Sequence, residues 1–168
     1  MSATFSRPLR LLSVTALSVA VTLLLPFLVH LIPSSGVPLG ARLLPIFFAP
    51  FLAAMLFHPA VSLITAAATP TLNHLLTGRP SPEMAGLLSA ELLLFVGFVL
   101  LGKRLGWRTF LLAPLAYVGS STLVYALTKL FGNAEPWVSR LDALQIALPG
   151  LICLAILNAL VLRFERPS

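Results

Sequence analysis

The sequence predicts an all-α integral membrane protein: a compact bundle of six transmembrane helices with both termini on the cytoplasmic side. Three observations predict it. Hydrophobic residues make up 58% of the 168-residue chain and charged residues only 10%, whereas an ordinary soluble domain carries about a quarter charged residues. The mean hydropathy is +1.00. The apolar residues fall into six runs joined by short connections, and at about 20 residues per crossing the chain holds six spans in a single domain, with no separate soluble part.

The first run, 9–32, follows the basic start MSATFSRPLR. It exceeds the usual signal-peptide core of about 7–15 residues and ends in no clear small-x-small site, so it reads as a span. The connection PSSGVPLGAR is rich in Gly, Pro and Ser and cannot be a plain helix; a lid folded back over the bundle and a solvated turn both fit it. The second span, 43–57, is short and holds Pro45 and Pro50, which are expected to free backbone carbonyls at membrane depth. Spans 59–78, 84–102 and 109–131 follow, with a break expected at Pro70 in the first of these. The last span, 142–163, carries a kink signal at Pro149-Gly150. No internal repeat is evident.

Lys/Arg placement sets the orientation. An N-in, C-in arrangement puts Arg7, Arg10, Lys103, Arg104, Arg108, Arg163 and Arg166 inside, against Arg42, Arg79, Lys129 and Arg140 outside, the bias of the positive-inside rule. The net charge of +6 accordingly reads as basic residues facing anionic lipid. No basic cluster is interleaved with exposed aromatics, so nucleic acid is not an expected partner. Cys153, the single cysteine, lies in an apolar run and reads as core.

Polar residues inside the spans carry the functional reading. Thr65, Thr69, Asn73 and Thr77 recur at four-residue steps and form one stripe, which should face protein or water. Thr65 and Thr69 are expected to bond back to carbonyls one turn earlier. Asn73 and His74 lie about one turn from the outer end, placed to line a pocket. Glu91 sits about 10 Å into the fourth span, flanked by LLSA and LLLF. A carboxylate there must face the bundle interior with a partner or be protonated. Two roles fit it: contact with a ligand, in a cluster with Asn73 and His74 at comparable depth, or a structural hydrogen bond to a neighbouring helix.

In the fifth span Tyr117, Ser121, Tyr125 and Thr128 share a face; Tyr125 is the candidate for ligand contact and Tyr117 the one for packing. Gln145, near the outer end of the last span, and Arg42, at the mouth of the second, complete the candidate binding set. Asn158 reads as a helix-helix hydrogen bond, and Trp137 as an interfacial belt residue or a pocket wall. His30, His58 and His74 are too far apart in the topology to form one site, so no metal is expected. HExxH, CxxC, GxSxG and P-loop motifs are all absent from the sequence. The chain is therefore not expected to be an enzyme or to hold a cofactor, and uphill transport would need energy from another protein.

ALSVA in the first span places Ala16 and Ala20 as a small-xxx-small pair, which lets another helix approach closely. With this pair, six spans, the first outer loop (GVPLGARLLPIFFAP) and the segment ATPTLNHLLTGRPSPEM, the chain resembles the substrate-binding S components of energy-coupling factor transporters over nearly its whole length. The resemblance implies binding of a micronutrient, often a vitamin, from the outer side of a prokaryotic plasma membrane beneath the first loop. It also implies that Ala16 and Ala20 match the AxxxA motif that meets a transmembrane T component, itself coupled to two cytoplasmic ATPases. Cobalt and nickel members carry a histidine near the N-terminus that MSATFSRP lacks, so a metal cargo is not expected. Two other classes fit a chain of this kind. A six-span scaffold of the MreD type would bind no solute, and an intramembrane lipid enzyme would need a nucleophile or metal set beside Glu91 and His74.

Overall fold

The computed structural model describes residues 3–32, 37, 39–78, 80–131 and 137–164. Among them there is no strand. The elements are α1 (Ala3–His30), α2 (Leu39–Leu43), a 3-10 turn (Pro45–Phe47), α3 (Phe48–Leu56), α4 (Pro59–Thr77), α5 (Pro82–Arg104), α6 (Leu112–Leu130), α7 (Trp137–Ile146) and α8 (Leu148–Phe164). Helix thus occupies each of the six apolar runs. Leu9–Val29 of α1 and Pro82–Arg104 of α5 are long and apolar enough to cross a membrane, and Pro45–Leu56 and Leu148–Phe164 are shorter apolar helices.

The prolines act as helix starts more than as breaks. Pro45 opens the 3-10 turn and Pro50 stands in the first turn of α3, where the missing N–H costs little because early helical N–H groups lack intrahelical partners. The expected exposure of carbonyls in mid-span therefore does not arise from these two residues. Nor does Pro70 break α4, which runs through it with Thr65, Ala66, Thr69 and Pro70 all buried. Packing on that face holds the helix together across the lost hydrogen bond. At Pro149 the outcome differs. The ring cannot donate to the carbonyl of Gln145, and the last apolar run divides at Ala147 into α7 and α8, with Pro149 at the second position of α8.

α3 occupies the centre. It packs on α1, α4, α5 and α8, while α4 lies against α1 and α5, α5 against α6, and α6 against α8. Phe51, Leu92, Phe95, Val96, Val99 and Leu154 are fully buried between these helices. Thr65 Oγ1 donates to Val61 O and Thr69 Oγ1 to Thr65 O, each at 2.7 Å, as the sequence predicts. Ser18 and Thr22 of α1 are buried as well, and so is Ser62 of α4. Hydroxyl-bearing residues thus share the buried positions of α4 with Val61, Ala66 and Pro70.

The end of the bundle that carries Lys103 and Thr109 is tied by two long-range bonds. Lys103 Nζ donates to Ala54 O at 3.4 Å and also to Met55 O, closing the carbonyl end of α3. Asn158 Nδ2 of α8 donates to Thr109 O in the α5–α6 connection at 2.9 Å, so this residue ties a helix to a loop and not, as the sequence suggests, one helix to another. At the opposite end, residues 44–47 turn into the bundle. Leu44, directly before Pro45, takes the left-handed conformation at φ 53°, which is costly for a branched side chain. Leu44, Pro45 and Phe47 are buried, and α2 rests on α8.

Candidate functional site

The folded-back loop drives Phe47 between α5 and α6. Its ring meets Phe95 at a centroid distance of 5.1 Å and Tyr117 at 5.0 Å, both edge to face, the arrangement favoured by aromatic quadrupoles. This trio forms an apolar floor. Glu91 is one turn from Phe95 toward the α4–α5 turn, about 6 Å along α5, while Ser121 and Tyr125 lie one and two turns beyond Tyr117 toward the same end of the bundle on α6. Ser121 is buried; Glu91 and Tyr125 are half-buried.

Contacts between the helices give their register. Phe98 lies beside Gly119, and Gly102 against Leu112. Counting outward from these pairs along antiparallel helices brings Glu91 level with residues 123–126 of α6, and so with Tyr125. Glu91 also shares the 91/95/98/102 ridge of α5, whose inner members meet α6. Glu91, Ser121 and Tyr125 therefore stand above the aromatic floor. A carboxylate, a hydroxyl and a phenol over aromatic edges can orient a flat, polar solute. The first can accept two or more hydrogen bonds, and the last two can both donate and accept.

Asn73 and His74 are placed differently from the sequence expectation. Ser89 Oγ donates to Ala67 O at 3.2 Å, so Glu91 lies opposite Thr65 of α4, while Asn73 lies opposite Glu83. The two are separated by eight residues, about 12 Å along the bundle. The common depth expected for this trio does not hold, because depth counted from each helix end ignores the offset between α4 and α5. His74 Nδ1 is 2.7 Å from Pro80 O. A carbonyl only accepts, so Nδ1 carries a proton and donates it. His74 thereby holds the α4–α5 turn at the rim of the bundle. Asn73 is half-buried, and its carbonyl accepts from Thr77 Oγ1 at 2.7 Å.

Arg42 on α2 and Gln145 on α7 are exposed. The side chains of Arg7, Arg79, Trp137, Arg140 and Arg166 lie outside the described residues, as do residues 33–36 of the first loop. Sequence reasoning missed Phe47 and Phe95. Phe95 had a signal, its position one turn from Glu91, but Phe47 could be found only once the loop was seen to turn inward. Among the described residues no cluster of His, Cys, Asp and Glu could hold a metal ion. The chain matches no protein-family model, no curated protein and no solved structure, so the account of its function rests on the residues themselves.

Proposed function

We propose that this chain is the membrane-embedded binding subunit for uptake of a micronutrient, a vitamin or related small heterocycle, working with a T component and two cytoplasmic ATPases. In this reading the bundle crosses a prokaryotic plasma membrane six times, with both termini inside. The observation that carries it is the placement of Glu91. A half-buried carboxylate in a helix apolar enough to span a membrane is level with Tyr125 and stands above the Phe47, Phe95 and Tyr117 floor, on a bundle into whose core residues 44–47 are turned. A scaffold has no need of such a group, whose burial in hydrocarbon costs at least about 2.5 kcal/mol.

A panel of heterocyclic micronutrients tests the proposal by thermal melting of the purified protein. One chemical class is expected to raise the melting temperature, since a ligand at a hundred times its Kd stabilises by about 2.7 kcal/mol. A scaffold would respond to none.

Orientation has its own test. External thiol labelling should reach a cysteine placed at Ser81 and miss one placed at Lys103, and the reverse pattern would put the site on the wrong side.

The face for a partner follows from α1. Ser18 and Thr22 are buried, whereas Ala16 and Ala20, two positions away from them, are exposed and point to the other side of the helix. Leu replacements at both alanines should abolish association with the T component while leaving the melting temperature of the isolated subunit unchanged. Unfolding instead would mean that the alanines pack inside the bundle.

A further inference from the structure

We infer that the inner end of the α5–α6 hairpin is a binding site for one anionic glycerophospholipid, with the phosphate on Lys103 and Arg108 and an acyl chain in the groove between the two helices. Two adjoining concavities carry the inference. The first, about 410 Å³, is lined by Lys103, Gly106 and Arg108 and backed by Met55 and Leu162. The second, about 240 Å³, is a groove with Phe98, Leu105 and Leu115 on its walls and Ala116 and Gly119 along its floor. Trp107 and Leu112 line both, so the polar and apolar parts are continuous at the indole. From Leu112 to Gly119 the groove runs about 10 Å along α6.

The basic part is built rather than incidental. Lys103 Nζ is held by the Ala54 and Met55 carbonyls, which fixes the ammonium in place without neutralising it. Gly106, at φ 75°, allows the tight turn in which Trp107 N donates back to Gly102 O at 2.9 Å, bringing Trp107 and Arg108 beside the end of α5. No carboxylate among the described residues pairs with Lys103, Arg104 or Arg108. Charge complementarity therefore calls for an anion. The continuous apolar groove, exposed along Leu101, Leu105 and Leu115, calls for one that carries a hydrocarbon chain. An exposed tryptophan at the junction matches the headgroup level, where indoles concentrate. In the N-in orientation this end meets the cytoplasmic leaflet, whose negative surface attracts basic residues.

The test is native mass spectrometry of the full chain in detergent with equimolar dioleoyl phosphatidylglycerol and dioleoyl phosphatidylcholine. One phosphatidylglycerol is expected to be retained in preference, and Arg108→Gln should reduce that preference about fivefold, the contribution of one cation near a lipid phosphate. Arg10→Gln, at the same end but beside His58 and Phe57 on the α1–α4 side, should leave it unchanged. Leu115→Trp, which fills the apolar groove from an exposed position, should lower retention of both lipids. Equal retention of the two lipids by the wild type, or an equal loss in Arg10→Gln and Arg108→Gln, would overturn the site. So would displacement of the lipid by glycerol phosphate alone, which would assign the basic pocket to a soluble phosphate.

Discussion

Glu91→Gln is expected to weaken solute binding by about 1.5–3 kcal/mol, the loss of one charge-assisted hydrogen bond, or roughly ten- to a hundredfold in Kd. The substitution preserves shape and removes charge. The fold should survive it, because a neutral amide is cheaper than a carboxylate on a helix this apolar. A purely structural Glu91 predicts the opposite pattern, a lower melting temperature with unchanged affinity per folded molecule. Titration and melting on the same purified variant separate the two. Ser121→Ala and Tyr125→Phe should follow in the same direction with smaller losses, since each removes one neutral hydrogen-bonding group.

Gly150→Ala is expected to destabilise the protein by about 1–3 kcal/mol through overpacking, and to lower solute affinity along with the melting temperature. A Cβ at this position would come within 2.8 Å of Arg42 O and of Leu43 C, and within 2.7 Å of Leu44 Cγ. Two of these are backbone atoms, which cannot step aside as the end of a side chain can. The strain would push on the segment that leads through Leu44 and Pro45 to Phe47, and so would loosen the aromatic floor. Gly86→Ala is the control: nothing lies within 4 Å of its added methyl, and within a helix the change should be neutral or stabilising by up to about 1 kcal/mol. Thermal melting of the two variants compares them directly. Equal stabilities would mean that the contact between the loop and α8 is not what holds the loop in place.

Local features of this molecule were legible because they depend on a few neighbouring residues. Apolar runs bounded by Gly, Pro and charge located every main helix, and the interruption near Pro149 followed from its missing N–H. The back-bonding of Thr65 and Thr69 and the packing of Tyr117 were readable from residue type and helical position, whereas the partner of Asn158, a loop carbonyl, was not. Offsets between helices were not legible. Asn73 and His74 count to a shallow position on α4 and Glu91 to a similar one on α5, but the Ser89–Ala67 hydrogen bond shifts the pair by about two turns. The inward turn at Leu44 was equally hidden. It depends on a left-handed residue before a proline and on a distant glycine, Gly150, that leaves room for the loop backbone. Candidate residues on one helix face, such as Ser121 and Tyr125, could therefore be grouped from sequence, and the aromatic partners contributed by the loop could not.

The most direct test of the central claim is mass spectrometry of small molecules released by denaturing the purified protein, with wild type and Glu91→Gln prepared in parallel from the same cells. One heterocyclic compound near one molecule per chain is expected in the wild type, sharply depleted in the variant at equal protein yield and equal melting temperature of the emptied proteins. The same trace profile of metabolites from both would contradict that claim, and with it the role of the Glu91 level as a solute site.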